Sequence, residues 1–439
     1  MKKMIRNLFI LAALGASVTI AAQQKPAKWD LKNCIEYAHQ NNIKVQKAKI
    51  AVEESKVDLK QSKAAYLPSL TASMSQNLDN AKSVTSNSFN SSMKGSYSLS
   101  SNMTLYNGGK IADDIRQKSL QTTIQELTLK ETKNDIEVSI AQAYLQVLYA
   151  NETEKTDQQT LETSAAQLKR SKNLLDAGSI TKIDYAQVES QYSTDKYQLA
   201  VDQNTLDEAK LSLKQLLELG INDDFQVEIP ALTDEQVLEV LPTKYDVYQT
   251  ALKVMPQIRN SQLSIDVAGL TYSKAKAGSL PTISLGGSLG TGNIYNRSTS
   301  FGTQLGNNFG QNLGVSVSLP IFNNRQTKSA IEKAKMEIDA AKLDYTSAQK
   351  DLLKTIESVY QDVVSAQSKY VAAKDQLKST ELSYKLTEEQ FNLGMKNTVD
   401  LLTQKNKYLS AQQAYLQAKY TAVLNLKLLN FYQGTSISL

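Results

Sequence analysis

Apolar residues recur every seven positions through two long stretches of the chain, residues 110–219 and 325–433. In the second stretch the recurring residues are Ile356, Val363, Tyr370, Leu377, Tyr384, Phe391, Leu401, Tyr408, Tyr415, Ala422 and Leu429. Each stretch has a single glycine, Gly178 or Gly394, and no proline. A sustained seven-residue repeat indicates helices that supercoil around each other with a left-handed twist. We therefore predict two antiparallel coiled-coil pairs, each folded back at its glycine.

A second pattern, strict alternation of apolar and polar residues, occupies four shorter segments at about residues 67–79, 93–106, 281–291 and 309–322. Alternation with period two predicts β-strands, here with one apolar face and one face of small uncharged polar residues. Strands of about 10 to 14 residues are long enough to cross a bilayer as part of a barrel. The linkers within each strand pair are rich in serine, asparagine and glycine, and we predict exposed loops there.

Four membrane strands from one chain cannot form a closed barrel. Open strand edges are not tolerated in lipid, because every backbone group there needs a hydrogen-bond partner. Closure therefore requires other copies of the chain. Two copies would give a barrel of eight strands filled by side chains, whereas three would give twelve strands with room for a lumen. The small polar face of each strand favours a pore.

The chain is internally duplicated. The segment AYLPSL at 65–70 corresponds to GSLPTI at 278–283, and the two glycine turns lie 216 positions apart. We expect each half to form a column about 100 Å long, with its strand pair at one end and its glycine turn at the other. The predicted fold is mainly α with a membrane β part. Its predicted divisions are a first repeat at 23–220, a linking equatorial segment at 221–244, a second repeat at 245–434 and a short tail at 435–439.

The first residues have the pattern of a secretory signal. Lys2, Lys3 and Arg6 precede an apolar run that ends in small residues at Ala22, which predicts a signal peptide over residues 1–22. No later stretch reaches the roughly 18 to 20 apolar residues that a membrane helix needs. The mature chain is expected to be exported without a helical membrane anchor.

The composition argues against several other functions. A net charge of +5 on 439 residues gives no reason to expect nucleic-acid binding. Cys34 is the only cysteine, so an intrachain disulfide cannot form, and His39 is the only histidine, which removes His-paired nucleophiles and multi-histidine metal sites. We therefore expect neither enzymatic activity nor a cofactor or metal.

A resemblance to a known family rests on the order and spacing of several short motifs. They are NCIEYAHQNNIKVQKAK at 33–49, AYLPSL at 65–70, LYNGG at 105–109, AGSITKID at 177–184 and LGMKNTVDLL at 393–402. With these motifs and the duplication, the chain resembles the TolC-like outer-membrane efflux family. The resemblance implies a homotrimer in the outer membrane that extends into the periplasm. It would have a 12-stranded β-barrel and a coiled-coil α-barrel.

The resemblance also implies protein partners at the two glycine turns. A periplasmic adaptor, or membrane fusion protein, would contact Gly178, Ser179, Gly394 and Met395, and would join the channel to an inner-membrane pump. The function implied is the outer-membrane channel of a tripartite efflux system, which passes small molecules to the exterior. Two alternatives stay open: an outlet for type I protein secretion, and a soluble periplasmic coiled-coil adaptor.

The resemblance assigns the pore constriction to the second turn. Its acidic ring falls on Asp400, its basic partner on Lys396, its aromatic residue on Phe391 and the acid of the first turn on Asp184. The position of a second acidic ring is Thr403, so a single ring remains. Both acids can also be interpreted as helix-capping residues, because each lies three residues after a residue that can cap a helix. The two roles are compatible.

Overall fold

The computed structural model describes residues 28–82, 89–230, 232–295 and 298–439, and the predicted signal peptide lies outside these ranges. The helices are α1 (Leu31–Asn41), α2 (Ile43–Ala64), α3 (Lys110–Asp176), α4 (Lys182–Leu216), α5 (Asp234–Val237), α6 (Lys244–Val254), α7 (Pro256–Ala277), α8 (Phe301–Asn307), α9 (Gln326–Asn392) and α10 (Thr398–Tyr432). The strands are β1 (Ser69–Lys82), β2 (Phe89–Tyr106), β3 (Thr282–Ile294) and β4 (Gly310–Ser318).

Helix lengths repeat between the two halves of the chain. The lengths 11, 22, 67 and 35 residues belong to α1, α2, α3 and α4, and in the same order to α6, α7, α9 and α10. A helix of 67 residues is about 100 Å long at a rise of 1.5 Å per residue. Two shorter helices pack beside each long one, α2 and α4 on α3, and α7 and α10 on α9. The predicted columns of paired helices are confirmed.

Both helical segments that lead into strand pairs are broken into a helix of 11 residues and one of 22 residues. The first breaks at Asn42, whose side chain accepts the Lys44 N–H at 2.9 Å and donates to the Leu216 carbonyl at 3.0 Å. The second breaks at Met255, because Pro256 has no N–H and disfavours helical geometry in the residue before it. The breaks lie at corresponding places in the two halves.

The four strands form one antiparallel sheet in the order β1-β2-β3-β4. Leu99 on β2 faces Ala72 on β1 and Leu289 on β3, so apolar side chains share one face, as predicted. The last strand is shorter than predicted and ends at Ser318 because Pro320 cannot donate a hydrogen bond to the sheet. The loop predicted between β3 and β4 contains α8, which the sequence analysis missed.

The hydrophobic core is thickest midway along the columns, where α1, α3, α6 and α10 meet. The linking segment is fixed here by backbone pairing of Trp29 with Val227 and by a 2.5 Å hydrogen bond from the Tyr144 hydroxyl to the Glu228 carbonyl. Cys34 is a buried apolar member of this core. Among the described helices, none combines the length and apolar character needed to cross a membrane.

Candidate functional site at the helical tip

Both coiled coils end in the same kind of glycine turn. Gly178 and Gly394 have φ angles of 71° and 73°, the left-handed conformation that glycine adopts without steric strain. The turn closes with a pair of backbone bonds, for example Ser179 N–H to the Leu174 carbonyl at 2.8 Å and Gly178 N–H to the Leu175 carbonyl at 2.9 Å. No described atom lies within 4 Å of a Cβ added at either glycine, so backbone conformation alone requires glycine.

The acid of the first turn is a helix cap. Thr181 and Asp184 form a reciprocal capping box, in which the Asp184 N–H donates to Thr181 Oγ1 at 3.1 Å and the Thr181 N–H donates to Asp184 Oδ2 at 3.1 Å. Hydrogen bonds from the Thr181 side chain and backbone lower the pKa of Asp184, and the Thr398 side chain of the second turn lowers it further. Asp184 therefore caps its own helix, and the Thr398 side chain of the second turn lies close to it.

The acid of the second turn is arranged differently. The Asn397 side chain accepts the Asp400 N–H at 2.8 Å. In this turn, which the structure describes in full, the reciprocal bond from the Asn397 N–H to the Asp400 carboxylate is absent. The carboxylate lies instead 3.7 Å from the Lys396 ammonium, and both side chains are partly exposed. Asp400 is thus only half of a capping box, and its charge stays available to the solvent.

The remaining predicted tip residues lie on or near the surface. Phe391 is half-buried, whereas Ser179 and Thr403 are exposed. Several large apolar side chains at the tip are also exposed, namely Ile183, Leu393, Met395 and Val399. Grouped exposed apolar side chains mark surfaces that contact other proteins. The structure places these residues at one end of the molecule, and their contacts with a partner stay a prediction.

Just above the turns, polar side chains join the two coiled coils. Gln167 on α3 donates to the Tyr384 hydroxyl at 2.8 Å and to the Glu388 carboxylate at 3.0 Å, both on α9. Arg170 donates to the Asn392 carbonyl at 3.4 Å. These residues could not be identified from the sequence, because only the packing of one half against the other brings them together.

A buried charged cluster lies farther from the tip and joins three helices; we call Lys405, Asp195 and Ser164 the buried cluster. Their exposed fractions are 2%, 6% and 2%. The Lys405 ammonium lies 2.7 Å from Asp195 Oδ2, and the Ser164 hydroxyl bonds to both side chains. Gln191 donates to the other Asp195 oxygen at 2.8 Å. The available sequence signal was a pair of charges, Asp195 and Asp202, in the seven-residue row that contains the buried Val188 and Ala209.

Two carboxyl groups face each other next to this cluster. Asp157 on α3 is buried, and its Oδ2 has no hydrogen-bond partner among the described residues. Desolvation and the neighbouring Asp202 raise the pKa of Asp157 from 3.8 to about 8. At neutral pH a proton on Asp157 supplies a donor between the two carboxyl groups, while Gln198 Nε2 donates to Asp202 Oδ2 at 3.0 Å. Within the described ranges, no group of histidine, cysteine and acidic residues could hold a metal ion.

Known proteins resemble this chain over most of its length. The sequence profile of the outer membrane efflux protein family matches residues 34–218 and again residues 247–435. The outer membrane efflux protein BepC of Brucella suis is 23% identical over 416 residues, which span 94% of this chain and 87% of BepC. The outer membrane protein TolC of Escherichia coli is 28% identical over 219 residues, or 48% of this chain and 43% of TolC.

The fold agrees with these sequence matches. The crystal structure of CusC, a transmembrane channel, superimposes with a TM-score of 0.80 at 17% identity and covers 94% of this chain and 95% of CusC. The two profile matches coincide with the two halves whose helices repeat in length. Because the profile covers more than half of the sequence, this chain belongs to the outer membrane efflux protein family.

Proposed function

We propose that this protein is the outer-membrane channel of a tripartite efflux system, which passes small molecules from a periplasmic adaptor and an inner-membrane pump to the exterior. The observation that carries the proposal is the four-stranded sheet, in which β1 and β4 are edges and the two faces differ in polarity. One face bears Leu70, Met74, Val315 and Val317, all exposed in the single chain. The opposite face bears serine, threonine and asparagine, which suit a water-filled lumen.

Exposed apolar rows on the helices support closure into a ring. Along α9 such residues lie at multiples of seven positions, at Met336, Leu343, Val364 and Val371. The opposite side of the chain has two matching rows, Ile43, Ile50 and Val57 on α2, and Tyr197 and Leu211 on α4. One edge of the molecule can therefore pack on the other edge of the next copy, which generates a ring. Three copies would provide twelve strands.

The tip supports a gate between the two coiled coils. The bonds from Gln167 and Arg170 hold α3 against α9, and separation of the helical pairs would break them. These bonds are few and partly exposed, so the tip can open without unfolding the columns. The exposed apolar residues Leu393 and Met395 lie beside this gate, where an adaptor would bind and shift the helices.

Efflux in the native host tests the proposal. Deletion of the gene should raise susceptibility to exported compounds, and the wild-type gene should restore resistance. Met395→Asp should fail to restore it despite normal trimer levels, because a charge in an apolar contact surface is costly to desolvate. Val240→Asp, which adds the same charge at an exposed site in the linking segment, should restore it. Unchanged susceptibility with loss of a secreted polypeptide would instead support the protein-secretion alternative.

The electrical selectivity of the pore tests Asp400. In planar bilayers, Asp400→Asn should reduce cation preference and block by multivalent cations, because three carboxylates near one axis attract cations. Thr403→Asp should strengthen both effects. Asp207→Asn is the matched control, since it removes one exposed carboxylate from α4 about 37 Å of helix away from the tip. If Asp400→Asn leaves selectivity and block unchanged in an assembled trimer, the constriction lies elsewhere.

A further inference from the structure

In the connection between β3 and β4, residues 298–309 fold back onto the sheet. The bonds that hold it run from Thr291 Oγ1 to the Leu305 carbonyl at 2.6 Å, from the Ile294 N–H to Gln304 Oε1 at 2.8 Å and from Asn308 Nδ2 to the Gly292 carbonyl at 2.7 Å. The helix in this connection, α8, is therefore fixed against β3 rather than suspended above the strand ends.

The face on which α8 lies follows from the strand register. Tyr97 on β2 is paired with Met74 on β1 and Thr291 on β3, so these three side chains point to one side of the sheet. It is the apolar side, which also bears Leu99. The Phe301 ring at the start of α8 meets the Tyr97 ring edge-on at 6.4 Å between centroids. α8 thus lies on the face that the barrel presents to lipid, outside the lumen.

Beside α8 is a groove of about 390 Å³, which we call the rim groove and define by Met74, Tyr97, Leu99, Leu289 and Phe309. Its floor is shared by β1, β2 and β3, and a copy that pairs with the β1 edge extends the sheet sideways without covering this face. The groove continues the apolar face that contacts the membrane.

The polar boundary of the groove is built around a glycine. The Tyr97 hydroxyl lies over Gly95, accepts from Gln76 Nε2 at 2.7 Å and donates to Asn293 Oδ1 at 3.2 Å. A Cβ on Gly95 would lie 2.3 Å from that Asn293 oxygen, so no other residue leaves room for this bonding. An apolar floor below a hydrogen-bonded tyrosine is the arrangement expected where acyl chains meet headgroups.

The depth of α8 in the membrane agrees with a position where acyl chains meet headgroups. A barrel strand crosses the bilayer in about 9 to 11 residues. Thr291 is the tenth residue of β3 counted from the helical end of the sheet, so α8 lies at the outer boundary of the membrane. Phe301 and Phe309 flank the helix and are 54% and 59% exposed.

We propose that α8 and the rim groove bind an acyl chain of an outer-leaflet lipid, so that the β3–β4 connection anchors the barrel in the membrane and is no lid over the channel mouth. The apolar floor would contact the chain, and Phe301 and Phe309 would lie at the level of the headgroups. The proposal rests on the outer-membrane location of the barrel.

Tryptophan quenching by lipid tests this assignment. Phe301→Trp is reconstituted in phosphatidylcholine vesicles with bromine near the headgroup end of the acyl chains, and its fluorescence is compared with that in the unbrominated lipid. Trp29, the only native tryptophan, is buried and separated from the strands by α1 and α2, about 50 Å of helix, so it provides an unquenched reference. Val315→Trp reports the lipid face, and Ser100→Trp reports the lumen.

Phe301→Trp should lose fluorescence to an extent similar to Val315→Trp and well above Ser100→Trp. Quenching no greater than that of Ser100→Trp would overturn the proposal and place the helix over the mouth. If Val315→Trp is also unquenched, the sheet is not in lipid, and the channel function itself fails. The two failures are therefore distinguishable.

Discussion

Lys405→Met is expected to lower the stability of the helical columns strongly while leaving the strands able to assemble. The methionine keeps an unbranched side chain but leaves the Asp195 carboxylate buried without its cation. Removal of one partner from a buried ion pair costs about 3–5 kcal/mol, because the remaining charge cannot regain its water. Asp195 retains the bond from Gln191 and that from Ser164, which hold the carboxylate in place but do not neutralise it.

Thermal melting of the detergent-solubilised trimer, followed by far-UV circular dichroism, measures this loss. Lys385→Met is the matched control, because Lys385 pairs with Glu381 at 2.6 Å on the surface, where an ion pair contributes little. The double variant Lys405→Met with Asp195→Leu should melt well above Lys405→Met alone, since apolar replacement of a whole buried pair is often neutral or stabilising. Equal melting temperatures for Lys405→Met and Lys385→Met would contradict the expectation.

The extended parts of this fold were predictable because their sequence signals are local and repeated. A seven-residue row that runs from Ile356 to Phe391 identifies a helix and its buried face without knowledge of its partner. Alternation identifies a strand in the same way. The helix breaks at Asn42 and Pro256 were not predicted from the periodic pattern, because one interruption hardly disturbs it. Proline at the first helical position was nevertheless a usable signal for the second break.

At the tip, equal spacing of the capping residue and the acid in the two turns does not lead to equal hydrogen bonding. Thr181 and Asp184 have the same separation as Asn397 and Asp400, yet only the first pair forms the reciprocal box. The residue before the capping position is Ile180 in the first turn, whereas in the second it is Lys396, which attracts the Asp400 carboxylate. Two motifs that correspond in sequence therefore leave their acids in different electrostatic states.

The buried cluster could not be predicted in detail, because its three members come from three helices and lie up to 241 positions apart. A charge in an inward row indicates only that a partner is needed. Which partner it finds depends on how the second half packs on the first. Long-range placement of this kind distinguishes the buried cluster from the periodic framework around it.

The pH dependence of stability should reveal the acid pair next to the cluster. Folding raises the pKa of Asp157 from 3.8 to about 8, mainly because burial disfavours its charge. Between these values the folded chain keeps a proton that the unfolded chain has released, so the free energy of unfolding falls as pH rises through this window. Asp157→Asn supplies a neutral amide that can donate to Asp202, and it should remove this contribution to the pH dependence.

Thermal melting of wild type and Asp157→Asn across this pH range tests the direction of the pH dependence and its assignment to Asp157. Near pH 4 the two should melt alike, because Asp157 is protonated in the folded chain. At pH 8 and above the variant should be clearly more stable, because the wild-type chain has by then lost the stability that the retained proton contributed between the two pKa values. Asp207→Asn, the same change at an exposed position of α4, should show no such divergence. If Asp157→Asn is instead less stable than wild type at high pH, the Asp157 carboxylate is ionised and has a donor in the folded trimer, which would contradict the assignment of a buried proton to Asp157.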